Sequence, residues 1–131
     1  MSPDGRWICF QAHNDKKHTS QLGVVRADRD HASTWTFLTG DDECYDKPRW
    51  STDGRTIYYV ARHDGVLNVW GMDFDSTRGV AVGEPFQVTH FDGVTQILPN
   101  VVLLELGISD HQLAIPMIQP AGGIWMLENV R

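Results

Sequence analysis

The sequence is poor in the features that mark several large classes of protein. It has two cysteines in 131 residues, Cys9 and Cys44, which match no zinc-ligand spacing and can form at most one disulfide. Their most ordinary role is that of small, buried hydrophobic side chains. Apolar stretches without a charge, such as residues 94–104, fall short of the ~20 residues that a membrane helix needs. We therefore expect no membrane span.

Basic charge is scarce as well. The formal net charge is −6, and residues 66–131 hold only 2 basic side chains against 7 acidic ones. A surface that binds nucleic acid needs clustered lysine and arginine, so we expect no nucleic-acid partner. The only basic cluster, Lys16-Lys17-His18, is too short for such a patch and is predicted to lie at an exposed hairpin tip.

Motifs for nucleophilic catalysis and for phosphate binding are missing. The segment nearest to a Gly-x-Ser-x-Gly elbow surrounds Ser109 at residues 107–111, and it lacks the second glycine. Neither Gly-x-x-x-x-Gly-Lys nor Gly-x-Gly-x-x-Gly occurs. The sequence therefore predicts no catalytic residue and no cofactor-binding residue.

The acidic and histidine clusters lack the spacing of metal sites. A calcium loop of the EF-hand type needs alternating carboxylates, a glycine and a distal glutamate, which are absent around Asp41, Asp42, Glu43 and Asp46. We expect a solvated loop there. Three histidines in the first half stand 5 and 13 residues apart with no Glu motif between them, and we expect surface loop positions for them: His13, His18 and His31.

What the sequence does contain is internal repetition, which determines the fold where it occurs. Three pairs of segments match at offsets of 49, 47 and 50 residues: 2–8 with 51–57, 21–28 with 68–75, and 35–39 with 85–89. Five of seven positions are identical in the first pair. Offsets that drift while short apolar runs persist are typical of strands joined by loops of variable length.

A third, decayed copy follows the first two. Residues 109–115 occupy the position of the Asp-Gly-Arg turn, and residues 123–127 correspond to residues 68–72. Before this copy lies an apolar segment, residues 94–106, which is broken by Pro99 and Asn100. We interpret it as one or two strands with a turn.

Each copy of the repeat predicts the same order of elements: a strand, a tight turn, a second strand, a loop and a third strand. Asp64-Gly65, between two runs of β-forming residues, is the strongest hairpin signal, because both central residues of a type I′ turn need a positive φ. Asp4 and Asp53 recur before Gly-Arg, and we expect each carboxylate to accept backbone N–H groups within its own turn. No window of 11 or more residues shows a helical period.

The five tryptophans are expected to pack in the core rather than to form a ligand cage, because aromatic residues dominate core burial: Trp7, Trp35, Trp50, Trp70 and Trp125. A stacking platform for nucleic acid would need basic residues interleaved with them. Residues 66–131 hold only Arg78 and Arg131.

The motif Ser-x-Asp-Gly-Arg-x-Ile, followed by aliphatic strands and a Phe-Gln-Val-Thr close at residues 86–89, resembles the TolB-like, WD-repeat-like β-propellers. In that family each repeat is one four-stranded blade, and the blades ring a central channel. Residues 46–89 look like one near-complete blade. Residues 107–130 resemble the last blade of propellers at the C-terminus of larger bacterial proteins.

The resemblance implies an all-β chain of about three four-stranded antiparallel blades in a single partial propeller domain, with units of about 1–46, 47–93 and 94–131. Propellers need at least ~4 blades of roughly 40–45 residues, so one copy cannot close the ring. We expect a piece of a longer protein, a decayed remnant, or several copies that associate. An open blade leaves an unpaired strand edge that can pair with another chain.

By analogy, the resemblance implies a non-catalytic scaffold or sensor that binds a protein or peptide through loops at one end of the blades, and the variable connections 12–20 and 28–34 are the candidates. The alternative is the substrate-gating propeller of a prolyl oligopeptidase or dipeptidyl peptidase type serine peptidase. Residues 129–131 look like a natural end, which favours the scaffold or sensor, linked to a kinase or regulator. TolB-type propellers are typically periplasmic, which implies a location outside the cytoplasm.

Overall fold

A computed structural model describes residues 1–28, 35–100 and 104–121 of the chain. These ranges contain strands and no helix, which confirms the all-β prediction, and so no helix in them could cross a membrane. The strands are β1 (Trp7–Asn14), β2 (Thr19–Arg26), β3 (Trp35–Phe37), β4 (Tyr45–Trp50), β5 (Thr56–His63), β6 (Val66–Asp75), β7 (Val80–Gln87), β8 (Gly107–Ile108) and β9 (Leu113–Ala114).

The strands pair in chain order into three antiparallel sheets. The first sheet is β1-β2-β3, the second is β4-β5-β6-β7, and the third is the short pair β8-β9. Within the described ranges a four-stranded sheet therefore forms only in the middle unit, where the sequence had suggested four strands in each.

The hairpin between β5 and β6 has the predicted geometry. His63 pairs with Val66, and the two residues between them, Asp64 and Gly65, have φ angles of 49° and 80°. Positive φ at both positions defines a type I′ turn, whose twist matches that of the flanking strands. This prediction is confirmed.

The Asp-Gly-Arg turns before β1 and β5 share one hydrogen-bond pattern. In the first copy the Ser2 hydroxyl donates to Asp4 Oδ1 at 2.6 Å, and the Arg6 N–H donates to the same oxygen at 3.0 Å. In the second copy Ser51 and Arg55 make the equivalent bonds to Asp53 at 2.7 and 3.0 Å. The two carboxylates thus organise their own turns, as predicted.

The repeat also includes a threonine that follows the last strand of each of the first two sheets. The N–H of Leu22 donates to the Thr39 hydroxyl at 3.0 Å, and the N–H of Val69 donates to the Thr89 hydroxyl at 2.9 Å. These pairs stand at offsets of 47 and 50 residues, the values that the sequence predicts. The first two copies therefore share this bond as well as the turn bonds, although their sheets differ in the number of strands.

The first and second sheets stack face to face. Trp7, Leu22 and Val24 of the first sheet pack against a face of the second sheet formed by Ile57, Tyr59, Ala61, Met72 and Phe74. Phe74 lies between two tryptophan rings, with ring centroids 5.7 Å from Trp7 and 4.9 Å from Trp50. Burial of this apolar surface is the main force that holds the sheets together.

The opposite face of the second sheet is also covered. Val60 and Val69 pack against three buried leucines from the C-terminal part of the chain: Leu98, Leu104 and Leu106. The middle sheet is thus buried on both faces.

The apolar segment before the third sheet differs from the prediction. Residues 94–100 and 104–106 form no regular strand, and Ile97 makes only an isolated bridge with Ile118. The Asp92 carboxylate accepts the backbone N–H groups of residues 94, 95 and 96, which holds a turn, and Pro99 has no N–H to donate. Leu98, Leu104 and Leu106 are therefore buried although they belong to no β-strand.

The decayed third copy forms a shorter turn. The Ser109 N–H donates to the Gln112 carbonyl at 2.9 Å, whereas the corresponding bond in the first copy runs from Ser2 to Trp7. The predicted strand at residues 123–127 lies outside the described residues.

Candidate binding site at the hairpin end

Antiparallel pairing separates the connections of the first two sheets into opposite ends. The turn end carries the Asp-Gly-Arg turns and the β6–β7 loop at residues 76–79. The hairpin end carries the β1–β2 tip at residues 15–18, the β5–β6 tip at 64–65, and the segment 38–44 that leads into β4.

The two connections expected to form a common binding end begin at opposite ends of the first sheet. Asn14 pairs with Thr19 beside the β1–β2 tip, whereas Trp7 pairs with Arg26 at the opposite end, from which the connection to β3 leaves. The expectation that 12–20 and 28–34 share one end is therefore wrong, because consecutive connections of an antiparallel sheet alternate between its ends. Residues 29–34 themselves lie outside the described part of the chain.

Ser20 holds the segment that leads into β4. Its N–H donates to the Glu43 carbonyl at 3.0 Å, and its hydroxyl donates to the Tyr45 carbonyl at 2.7 Å and accepts from the Tyr45 N–H at 3.0 Å. The Lys17 ammonium, at the exposed β1–β2 tip, pairs with Asp41 at 2.5 Å and holds the pKa of that carboxyl below its ordinary value. The segment is thus attached to the first two strands at Asp41 and at its junction with β4.

A cavity of about 430 Å³ opens between this segment and the second sheet. Four rings line it, in two pairs with centroids 6.0 Å apart: Tyr45 with Tyr59, and His63 with Trp70. Three carboxylates line it as well, so we call it the aromatic–acidic pocket. Its volume lies within the range of small-ligand sites, roughly 300–1,000 Å³.

The electrostatics of the aromatic–acidic pocket are negative. Its carboxylates are those of Asp42, Glu43 and Glu84, and no lysine or arginine lines it. The Tyr45 hydroxyl lies 3.4 Å from Asp42, and the His63 ring lies 3.3 Å from Glu43. Partial burial, followed by the nearby charges of Asp42 and Glu43, raises the pKa of Tyr45.

One buried polar atom of a residue that lines this pocket lacks a partner among the described residues. Trp70 Nε1 is buried, and no described residue accepts its N–H. Burial of a donor without an acceptor costs free energy that an incoming acceptor would recover.

A second cavity of about 330 Å³ lies on the other side of the same segment. It is lined by His18 of the β1–β2 tip, by Cys44, by Arg62 and by His13, which lies near the end of β1 rather than in the loop that the sequence suggested. Asp15 and Asp46 line it as well, and because it combines acidic and basic side chains, it favours neither a cationic nor an anionic ligand.

The residues considered for catalysis and for metal binding have other roles. The Ser109 hydroxyl accepts from the Gln112 N–H at 3.1 Å within its own turn. No group of three His, Cys, Asp or Glu side chains among the described residues could hold a metal ion. His31 lies outside them.

The cysteines and tryptophans are distributed differently from the prediction. Cys9 and Cys44 are free thiols; Cys9 is partly buried, and Cys44 is exposed, so the burial expected for Cys44 is wrong. Burial raises the pKa of the Cys9 thiol to about 12. Trp7 is buried and Trp50 and Trp70 are partly buried against the core, but Trp35 is 60% exposed.

Trp35 belongs to an exposed apolar surface on the outward face of the first sheet. Its ring packs on Phe10 with centroids 5.2 Å apart, and Phe37 and Ile8 are also exposed on this face. The equivalent face of the second sheet is buried by the first sheet. Trp35 is exposed because no described residue covers the first sheet in the same way.

No family model, curated protein or solved structure matches the chain. The likeness to TolB-like propellers therefore remains a hypothesis that rests on the repeated motif.

Sequence reasoning placed Asp41, Asp42 and Glu43 correctly in a loop, but it was wrong for Asp46, which lies in β4, and it did not identify the pocket. The missing information was which aromatic side chains of the next unit face that loop. A partial signal exists, because Tyr59 and Trp70 are directly opposite each other in the predicted hairpin and so share one face.

Proposed function

We propose that the chain is a non-catalytic β-propeller-like module that binds a protein or peptide at its hairpin end. The observation that carries this proposal is the recurrence of one hydrogen-bond skeleton in two stacked sheets. A rigid scaffold that presents variable loops is a common way to build a binding surface.

The two ends of the stack differ in a way that supports binding at the hairpin end. At the turn end the two copies keep the same serine, aspartate, glycine and arginine, and in both the serine hydroxyl and the arginine backbone N–H donate to the aspartate. At the hairpin end the tips differ in length and charge: residues 15–18 include Lys16 and Lys17, and the equivalent tip is Asp64-Gly65. Both cavities described above open beside these variable tips.

Selection from a displayed library of random peptides tests the proposal. Selected peptides are expected to bind the native chain and a turn-end control, Thr77→Ala with Arg78→Ala. They should lose binding when residues 15–18 are replaced by the two-residue turn Asn-Gly. Equal binding to all three proteins, or enrichment of no peptide, would contradict binding at the hairpin end.

Self-association is the second part of the proposal. In the described residues β1 pairs only with β2, which leaves one edge of β1 open, and the outward face of the first sheet is apolar. Exposed edges and apolar faces both favour association with a second copy. Light scattering on the purified chain should therefore give a discrete dimer or trimer, and a compact monomer at all concentrations would refute this part. The peptidase alternative has no observation of its own in the described residues.

A further inference from the structure

We propose that the aromatic–acidic pocket binds the side chain of an arginine or lysine presented by a peptide or protein partner. This inference rests on the proposed function, for which it names a site and a ligand chemistry.

The rings of the pocket suit a cation. Tyr45, Tyr59 and Trp70 come from three different strands and face one space. A guanidinium or ammonium group over the face of a tyrosine or tryptophan is attracted by the negative charge of that face, and the attraction grows as water is removed. The methylene groups of the same side chain gain contact with Leu38 and Pro85, which also line the pocket.

The carboxylates supply the charge complement. Among the described residues, Glu84 forms no ion pair, and the Asp42 carboxylate accepts a side-chain hydrogen bond only from the Tyr45 hydroxyl. Glu43 contacts His63, whose ring is 61% exposed. The pocket thus gathers three acidic groups without a lysine or arginine of its own.

The unpartnered indole of Trp70 favours a peptide over a free ammonium ion. An ammonium ion carries only donors, which cannot satisfy an N–H group. A peptide brings backbone carbonyl oxygens, and one of them could accept the Trp70 N–H after a small shift of the ring. An acidic or phosphorylated ligand would meet the carboxylates and be repelled.

The test uses the full chain labelled with ¹⁵N, and it follows the five tryptophan indole N–H signals. The signal of Trp70 is assigned by its loss in Trp70→Phe. The probe is the blocked pentapeptide Gly-Gly-Arg-Gly-Gly, with the lysine form, a form in which neutral citrulline replaces arginine, and tetramethylammonium as comparisons. The arginine and lysine peptides are expected to shift the Trp70 signal saturably, and the citrulline peptide is not.

Two pairs of variants test the two halves of the site. Glu43→Gln with Glu84→Gln should weaken arginine-peptide binding about tenfold, as expected for the loss of two exposed ion pairs. Glu105→Gln with Asp110→Asn removes the same charge outside both cavities of the hairpin end and should leave binding unchanged. Tyr45→Leu should also weaken binding, whereas Tyr45→Phe, which keeps the ring, should bind within about threefold of the native chain.

Several outcomes would overturn the inference: equal shifts with the citrulline peptide, no shift of Trp70 with any peptide, or equal weakening by both charge-removing pairs. Tetramethylammonium binding as tight as that of the arginine peptide would overturn the assignment to a peptide. If the pentapeptides fail while peptides from the library still depend on residues 15–18, this inference fails and the proposed function stands.

Discussion

Gly79 provides the most direct test of the stacking between the first two sheets. It lies in the turn before β7 with a φ of 71°, and a Cβ there would lie less than 3.0 Å from three ring atoms of Trp7. Gly83 has nearly the same φ, 70°, but a Cβ there would have no atom within 4 Å. The substitutions Gly79→Ala and Gly83→Ala therefore impose the same backbone strain and differ in whether the new methyl meets Trp7.

The structure gives a magnitude for this difference. A non-glycine residue in the left-handed region costs roughly 1–2 kcal/mol, and the reduced entropy of the unfolded chain returns about 0.4–1 kcal/mol in both variants. Overpacking against a fixed ring adds about 1–3 kcal/mol. The Trp7 ring cannot easily move, because it is buried against Phe74 and its Nε1 donates to the Ser76 carbonyl at 2.9 Å. Gly79→Ala should therefore be less stable than Gly83→Ala by about 1–3 kcal/mol.

Urea unfolding followed by far-ultraviolet circular dichroism measures the two free energies. With a slope of about 1–3 kcal/mol per molar urea, the midpoint of Gly79→Ala should fall below that of Gly83→Ala by on the order of 1 M. A double-mutant cycle with Trp7→Leu provides the control, since removing the ring should remove most of the difference. Equal midpoints for the two alanine variants would refute the packing of Trp7 on the β6–β7 turn.

Three further predictions concern charge, thiols and assembly. The Ser2 hydroxyl and then Arg6 lower the pKa of Asp4 to about 2. The ionised Asp4 carboxylate therefore contributes fully to stability above pH 3.8, and this contribution is lost as the pH falls through about 2. The urea midpoint of Asp4→Ala should lie below that of the native chain at pH 6 and approach it at pH 2. A thiol reagent at pH 8 should label exposed Cys44 quickly and Cys9 only on unfolding, so a fast phase that persists in Cys44→Ser would contradict the burial of Cys9. Trp35→Ser should lower the mass measured by light scattering, and an unchanged mass would exclude the outward face of the first sheet as the contact.

Local chemistry explains why much of the fold could be predicted. The Asp64-Gly65 turn and the two Ser-x-Asp-Gly-Arg turns depend on side chains within a few residues of each other, so the sequence alone contains their geometry. The spacing between repeats fixed which residues of the two sheets are equivalent, and the hydrogen bonds of Thr39 and Thr89 follow that spacing.

Burial could not be predicted in the same way, because it depends on which sheet covers which face. Ile8 and Ile57 are equivalent positions of the repeat with similar neighbours in sequence, yet Ile8 is 40% exposed and Ile57 is fully buried. The exposure of Trp35 has the same cause. The aromatic–acidic pocket was missed for a related reason, since the side chains that line it come from both of the first two units.

The residues that stabilise the turns and the residues proposed to bind a peptide lie at opposite ends of the two copies. The hydrogen bonds that recur at Asp4 and Asp53 leave the turn end little freedom to vary, because each carboxylate accepts from donors in its own turn. The hairpin tips carry no such repeated bonds, and a tip can change length or charge without disturbing the ladder behind it. Substitutions at Asp4 or Asp53 should therefore alter stability and leave peptide binding intact, whereas substitutions at Glu43 or Glu84 should do the reverse.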